Sequence, residues 1–260
     1  MTSSGWKYRN KEKFRRYPYR FDTSALEQTY ARFNGSTHLG WSGAAGTIDS
    51  GTWSAFTAVV WFRTTSSITS GQYFFSFTAP TGENFSFLRR QQATYAQSVG
   101  AQYNMESSVP VWIINTPSPV TNDSGLNCFM LSGSTAAGLT LYMNDTLVTS
   151  AAWDQGVGAV PIAANLFESS AVASNVGGGS AVVGDLGLVY LRNARYDFSV
   201  ESNRRLFITE KGYPVMPPSN GYLWFGSQQT IANWNTGNNQ GSGIDYTVTG
   251  TITQGDSGHF

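Results

Sequence analysis

Short runs of aromatic and β-branched residues recur along most of this chain, separated by Gly, Ser, Asn or Pro. Such runs are typical of β-strands, and the separating residues are typical of turns. Charged residues make up 12% of the 260 residues, aromatic residues make up 14%, and glycine occurs 28 times, a composition of β-rich chains with many tight turns. The sequence therefore predicts an all-β fold, a two-sheet jelly-roll sandwich. The predicted strands are residues 56–62, 73–77, 85–88, 109–114, 126–131, 139–143, 146–149, 182–191, 222–225 and 246–253.

Two segments alternate between apolar and polar residues as hairpins do. Residues 30–41 would turn about Asn34-Gly35, and residues 139–148 would turn at Asn144-Asp145. Asn and Asp tolerate the positive φ angles that a two-residue hairpin turn requires, so the second hairpin is the clearest single element. The inward positions of the first hairpin would be Ala31, Phe33, Leu39 and Trp41.

One short helix is predicted after residue 198. Ser199 could cap its N-terminus and Glu201 would favour the positive end of its dipole. Gly212 and Pro214 would end the helical region. The residues expected to pack against the sandwich are Val200, Leu206 and Phe207.

The basic residues are concentrated at the N-terminus. Residues 1–20 contain seven of the sixteen Lys and Arg residues and one acid, Glu12, so their net charge is +6 and that of the remaining residues is −6. No internal repeat or Pro-rich linker divides the rest of the chain. We therefore expect two parts, a basic aromatic N-terminal arm at residues 1–24 and one jelly-roll domain at residues 25–260.

The arm allows three interpretations. It could be a solvated terminus, it could bind nucleic acid through phosphate contacts and base stacking, or it could dock on a neighbouring protein subunit. Five aromatic residues among its first nineteen favour docking, and the acidic body favours a protein partner over nucleic acid, although contact of the arm with nucleic acid is not excluded. The expected interface residues are Trp6, Lys7, Tyr8, Arg9, Lys11, Lys13, Phe14, Arg15, Arg16, Tyr17, Tyr19 and Arg20.

Catalytic patterns are missing from the sequence. Hydrolysis of glycosides needs two carboxylates at a controlled separation, and no strand carries a pair two or four residues apart. The histidines, His38 and His259, are far apart in the chain, which argues against a nucleophilic triad and against a zinc site. Cys128 is the single cysteine, and we expect it to be a small buried residue. The sequence therefore predicts a protein that is not an enzyme and has no cofactor.

Two binding sites remain open at this level. Asx residues at predicted turns could converge on calcium, although such residues are also common in turns for backbone reasons. These residues are Asp49, Asn122, Asp123, Asn144, Asp145, Asp154 and Asp185. Tryptophans could stack on a carbohydrate, although core packing is the usual role of a tryptophan in a sandwich. The candidates are Trp41, Trp53, Trp112, Trp153 and Trp234.

Three stretches in this order resemble the concanavalin A-like or laminin G-like jelly-roll superfamily. Residues 33–39, Phe-Asn-Gly-Ser-Thr-His-Leu, with residues 56–63, Phe-Thr-Ala-Val-Val-Trp-Phe-Arg, resemble its first strand pair. Residues 141–148 resemble its "L-Y-x-N-G" turn, with Asp145 where Gly is usual, and residues 183–191 resemble its late strand. The resemblance implies the jelly-roll fold, and the superfamily also includes lectins and glycosidases.

The C-terminal part resembles the ending of jelly-roll domains in virion proteins of tailed bacteriophages. The matching stretches are residues 196–207, 211–215, 222–225, 234–237 and 246–250. This resemblance implies a structural subunit of the head or tail, made in the host cytoplasm, anchored by its arm to other virion proteins and forming a homo-oligomer. No apolar stretch follows the N-terminal charges, so neither a secretory signal nor a membrane partner is expected. The alternatives are a carbohydrate-binding adhesin or lectin-like module for host attachment and, with less support, a polysaccharide-cleaving enzyme.

Overall fold

The strands of this chain assemble into two antiparallel sheets. The computed structural model describes residues 30–43, 51–65, 71–90, 98–105, 109–116, 125–149, 152–153, 162–163, 166–226 and 231–255. The strands in these ranges are β1 Ala31–Asn34, β2 His38–Ser42, β3 Ala55–Thr64, β4 Gln72–Thr78, β5 Asn84–Arg89, β6 Val99–Met105, β7 Val109–Asn115, β8 Asn127–Ser134, β9 Gly138–Met143, β10 Thr146–Leu147, β11 Ala152–Trp153, β12 Ser169–Val172, β13 Val183–Arg192, β14 Leu223–Gly226, β15 Thr247–Thr249 and β16 Thr253–Gln254. The helices there are α1 Glu201–Arg204 and α2 Ile231–Thr236.

The two sheets pack face to face as a sandwich. Sheet 1 has the order β10-β9-β8-β3-β13-β1-β16, and β14 also pairs with β13. Sheet 2 has the order β11-β7-β6-β5-β4-β12-β2-β15. This architecture confirms the predicted all-β jelly roll.

Strand β3 shows how the sequence builds two layers of core. Phe56, Val60 and Phe62 point into the main core between the sheets, whereas Val59 and Trp61 point to the opposite face. Because both faces of β3 are buried, its sequence is an almost continuous apolar run rather than an alternating one. Aromatic rings from sheet 2 fill much of the main core, including Phe75, Phe77, Phe85 and Phe87.

A second cluster lies on the outer face of sheet 1. Residues 196–208 cross this face, and the indole nitrogen of Trp61 donates a hydrogen bond to the carbonyl of Phe207 (3.2 Å). Cys128 lies in this cluster and is fully buried, as expected from the sequence. We call this set the outer cluster; its buried members are Val59, Trp61, Cys128, Met130, Tyr142, Leu188, Tyr190, Phe198, Phe207, Ile208 and Trp224.

The predicted hairpin at residues 30–41 is wrong. Strand β1 pairs with β13 and β16 in sheet 1, whereas β2 pairs with β12 and β15 in sheet 2. The Asn34 side-chain oxygen accepts hydrogen bonds from the backbone and hydroxyl groups of both Ser36 and Thr37, so the segment is a corner between sheets. The inward positions were predicted correctly. Ala31, Phe33 and Leu39 are buried in the main core, and Trp41 packs against it.

The C-terminal run at residues 246–253 also divides between the sheets. Its first part forms β15 beside β2, and its last residues contribute to β16 beside β1. The segment between β15 and β16 therefore crosses between the sheets next to the corner between β1 and β2. Sequence alternation could not reveal this division, because a corner interrupts the pairing and leaves the apolar pattern intact.

The hairpin of β9 and β10 is confirmed. Asn144 and Asp145 have φ angles of 49° and 67°, as a tight turn between antiparallel strands requires. Thr146 pairs with Met143, so the loop has two residues.

Helix α1 begins where the sequence predicted a helix, but its cap differs. The capping position is Val200, which makes no side-chain cap and is 47% exposed. The hydroxyl of Ser199 instead donates a hydrogen bond to the side-chain carboxylate of Asp197 (2.7 Å). Phe207 is buried as expected, and Leu206 packs against the outer cluster.

Two internal strands of sheet 2 were missed by the sequence analysis. Strands β6 (VGAQYNM) and β12 (SSAV) have little β-branched or aromatic content. They become strands because each is paired on both sides, β6 with β5 and β7, and β12 with β4 and β2.

No helix within the described ranges has the length and apolar character to cross a membrane.

Candidate functional site

The outer faces of the two sheets differ in chemistry. On sheet 1 this face carries the outer cluster. On sheet 2 the register aligns a row of small or polar residues, one from each of six strands: Gln102, Ser86, Ser76, Ala171, Gly40 and Thr247. Their neighbours along the strands, such as Phe85, Phe75 and Leu39, belong to the main core. Ser86, Ser76 and Ala171 in the middle of this row are buried, and the row becomes exposed at its β15 end, at Thr247.

A groove of about 370 Å³ lies at the β15 end of this row. Strands β12, β2 and β15 form it together with the turn that follows β12. We call it the β2 groove, because β2 is its central strand. Its lining residues are His38, Gly40, Trp41, Ser42, Ser169, Ser170, Ala171, Val176, Gly177, Gly178, Thr247 and Thr249.

The floor of the β2 groove is made of small residues. Gly40 and Ala171 are register partners on adjacent strands, so the floor carries at most a methyl group there. A Cβ atom added to Gly40 would meet nothing closer than the Cδ2 atom of His38, at 3.8 Å. Glycine within a strand often marks the close approach of another molecule to the backbone. Gly40 thus leaves open space where any other residue would place a side chain.

One wall is the turn between β12 and β13. The backbone N–H of Asn175 donates to the carbonyl of Gly179 (3.0 Å), and that of Gly178 donates to the carbonyl of Asn175 (3.1 Å). Gly178 has a φ of +79°, and a Cβ atom there would lie 2.8 Å from the Cε1 atom of His38. Only glycine therefore lets this turn approach the imidazole so closely. The Nδ1 atom of His38 is buried and has no hydrogen-bond partner.

The other groups of the groove are hydroxyls and one indole. Trp41 is half-buried: it packs against the main core and also lines the groove. Gly43 lies beside its ring, because a Cβ atom at that position would be 2.4 Å from the Cζ2 atom of Trp41. Exposed hydroxyls come from Ser42, Thr247 and Thr249. An aromatic surface next to several hydroxyl groups can bind a ligand that has both apolar C–H faces and many hydrogen-bonding groups.

The structure separates the tryptophans that the sequence suggested for ligand stacking. Trp53 is 3% exposed and Trp234 is fully buried, so both are core residues. Trp41 lines the β2 groove. The side chains of Trp112 and Trp153 lie outside the described part, as do all the predicted interface residues of the arm, which stay a prediction.

The calcium candidates within the described part are engaged with other groups. Asp185 is fully buried and forms ion pairs with Arg32 and Arg63. Asp145 pairs with Arg204 (2.5 Å) and Arg205 (2.8 Å). The side-chain oxygen of Asn144 accepts a hydrogen bond from the backbone N–H of Cys128 (2.7 Å).

The remaining calcium candidates, Asp49, Asn122, Asp123 and Asp154, lie outside the described residues. Within the described ranges no group of three or more His, Cys, Asp or Glu side chains could hold a metal ion. Calcium binding at those four positions stays a prediction.

The sequence analysis missed most of the groove. It placed His38 and Trp41 on one strand but did not recognise β12, which supplies Ser169 and Ala171. Its candidate binding residues did not include the turn at residues 177–180. The available signal was Gly40, a glycine inside an alternating strand, which often marks a site of close approach.

Comparisons with known proteins show that the fold of this chain is similar to that of several solved structures. No family model matches the chain, and no curated protein matches it. A solved structure of a candidate carbohydrate-binding protein from Bacteroides ovatus is similar with a TM-score of 0.59 at 11% identity. The likeness covers 88% of this chain and 60% of that one, so this chain spans less than two thirds of that protein. The chain is a jelly-roll β-sandwich.

Two further solved structures resemble this sandwich less closely. The CBM40 domain of the Ruminococcus gnavus IT-sialidase has a TM-score of 0.48 at 14% identity and covers 66% of this chain and 94% of its own. Domain 4 of AbnA, an extracellular GH43 arabinanase from Geobacillus stearothermophilus solved with arabinotriose, has a TM-score of 0.49 at 11% identity. The similarity covers 65% of this chain and 73% of that domain. None of these comparisons supports the expected virion origin.

Proposed function

We propose that this sandwich is a non-catalytic carbohydrate-binding module with a lectin-like role, and that the β2 groove is its binding site. The observation that carries the proposal is the groove itself, whose lining combines Trp41 with the exposed residues Ser42, Thr247 and Thr249. Sugars present C–H faces that stack on aromatic rings and hydroxyls that pair with polar side chains. The fold of the Bacteroides ovatus protein agrees with this role.

Binding without cleavage fits the residues of the groove better than hydrolysis does. Glycoside hydrolysis needs an acid and a base or nucleophile, which are usually two carboxylates about 5–10 Å apart. Among the described residues that line the groove, none is Asp or Glu. We therefore expect ligands to leave the groove unchanged, without release of reducing ends.

The variant Gly40→Val tests the site. Its side chain would occupy the floor of the groove, and the strand should tolerate it because the new Cβ meets its nearest neighbour at 3.8 Å and valine favours strands. We expect affinity for the best ligand from a glycan array to fall at least about tenfold, or about 1.4 kcal/mol, by isothermal titration calorimetry. The thermal unfolding midpoint should stay the same or rise.

The matched control is Gly71→Val. Its added Cβ would lie 3.6 Å from the carbonyl of Arg89, an ordinary contact, and the position precedes β4 outside the groove lining. This variant should bind the glycan as the wild type does. Unchanged binding by Gly40→Val would move the binding site elsewhere on the molecule.

A second candidate, an assembly subunit such as a virion protein, has one observation in its favour. Residues 1–20 carry a net charge of +6 together with several aromatic residues. Charge of this density favours attachment to an acidic partner surface. The arm would then anchor the module, and the β2 groove would remain the site that contacts glycans.

A further inference from the structure

The charges around the β2 groove restrict the kind of carbohydrate it can take, and this inference rests on the proposed function. His38 is the single ionisable side chain among the described residues that line the groove. The other polar side chains of the lining are hydroxyls of Ser and Thr, and Trp41 adds an indole. All these groups pair well with uncharged hydroxyls, because each hydroxyl both donates and accepts.

The ionised groups closest along the chain to the lining strands are acids. Glu168 immediately precedes β12, and Asp245 lies two residues before β15. Asp245 accepts a hydrogen bond from the backbone N–H of Asn239 (2.9 Å), which keeps its carboxylate at the base of that strand. Neither residue belongs to the groove lining, so each adds negative charge beside a lining strand and offers no cation to an anionic ligand.

Five arginines of the described part pair with groups outside the groove. Arg32 and Arg63 lie on sheet 1 with Asp185 between them, and Arg204 and Arg205 pair with Asp145. On sheet 2, Arg90 donates to the side-chain oxygen of Gln102 (2.6 Å) on β6. Arg90 itself follows β5, which is two strand spacings from β12, about 10 Å.

A sugar carboxylate or sulfate in the groove would therefore meet no Lys or Arg among the described residues that line it. Proteins usually bind such groups through charge-assisted, often bidentate, arginine contacts. An anion that loses water without gaining such contacts pays a large desolvation cost. We infer that the β2 groove binds neutral saccharides and discriminates against acidic ones such as uronic acids, sialic acids and sulfated sugars.

The test is an array of neutral and acidic glycans probed with the full chain at pH 7.5, in parallel with Gly40→Val and Gly71→Val. We expect the glycans whose signal disappears in Gly40→Val, but not in Gly71→Val, to be neutral. The strongest such glycan is then compared by calorimetry with its carboxylated or sialylated counterpart. The acidic counterpart should bind at least about tenfold more weakly. The dissociation constant of the neutral glycan should change less than about twofold between 50 and 500 mM NaCl, since a contact without ion pairs is little affected by screening.

The outcomes separate the two proposals. If the Gly40-dependent signals come from acidic glycans, or if affinity falls steeply with salt, the inference about neutral sugars is wrong while the groove remains a glycan site. If no glycan signal depends on Gly40, the proposed function is itself wrong for this groove, and the inference falls with it.

Discussion

Single residues decide where this sandwich has open space and where it has buried charge. Gly40 and Gly178 create the β2 groove, one by leaving its floor empty and the other by letting a turn approach His38. Asp185 has the opposite role, because its carboxylate fills a buried position between two arginines from neighbouring strands. Arg32 donates two hydrogen bonds to it (2.8 and 3.1 Å), and Arg63 donates its Nε–H (2.9 Å).

The variant Asp185→Asn should destabilise the fold. It removes a fully buried negative charge that compensates two arginines while leaving both arginines in place. Breaking a buried ion pair costs about 3–5 kcal/mol, and we expect about 2–3 kcal/mol here because the Arg32 side chain is 33% exposed. Urea unfolding at neutral pH measures the change.

The control for this prediction is Asp197→Asn, at a carboxylate whose side chain is 39% exposed and which pairs with Arg195. It should cost less than about 1 kcal/mol, as exposed ion pairs do. If the two variants lose the same free energy of unfolding, burial does not make the Asp185 ion pairs more important for stability than an exposed pair.

At the scale of elements, a turn holds a helix in place. Asp145, in the turn between β9 and β10, accepts hydrogen bonds from Arg204 at the end of α1 and from Arg205 beside it. The same guanidinium of Arg205 also donates to Glu201, four residues earlier (2.8 Å). This contact joins the hairpin to the segment that covers the outer cluster, so the sequence that makes a tight turn also positions a helix.

The pairing of Asp145 predicts a dependence of stability on pH. Partial burial acts to raise the pKa of Asp145, but the hydrogen bonds and charges of Arg204 and Arg205 outweigh it and lower the pKa below its ordinary value. A carboxyl group with a lowered pKa in the folded state stabilises the fold above its unfolded pKa, about 3.9 for Asp, and loses that contribution as pH falls through the folded pKa.

We therefore expect wild type and Asp145→Asn to differ by a constant free energy of unfolding between pH 5 and 7. The difference should shrink progressively as the pH falls below about 4. Urea titrations at pH 7, 5, 3 and 2 measure it. A gap that widens on acidification would contradict the assigned direction of the pKa shift.

At the scale of the whole molecule, the two sheets differ in their outer faces. The outer face of sheet 1 is apolar and covered by residues 196–208, whereas that of sheet 2 is polar and carries the β2 groove. The outer face of sheet 2 is buried at Ser76 and Ser86 and becomes exposed near the β2 groove, which is the proposed binding site. The sequence adds a third part, the basic arm, whose net charge is opposite in sign to that of the rest of the chain.

The charge of the arm predicts salt-sensitive attachment. Replacing Lys13, Arg15 and Arg16 together by Ala in the full chain should weaken binding to a surface coated with an acidic protein, because the net charge of residues 1–20 falls from +6 to +3. Surface plasmon resonance at 50 and 300 mM NaCl measures this, and the wild type should lose more affinity with salt than the variant. Glycan binding at the β2 groove should be the same for both proteins. Equal salt dependence of the two proteins would exclude an electrostatic role for these three residues.

The sequence alone determined the features that depend on local chemistry. Runs such as β3 and β13 are strands because their residues favour a pleated, buried backbone, and Asn144-Asp145 makes a tight turn because both residues tolerate positive φ. The inward positions Ala31, Phe33 and Leu39 also followed from alternation alone. None of these properties needs knowledge of a distant partner.

Only the tertiary structure decided which strands share a sheet and where the groove lies. β1 and β2 look like one hairpin, yet they separate into two sheets because the side chain of Asn34 stabilises a corner between them. Strand β12 exists because β4 and β2 pair with it. The groove requires Gly40 to lie opposite Ala171 and beside Thr247. That register joins residues distant in the chain, and it is fixed by packing of the common core, which no local pattern encodes.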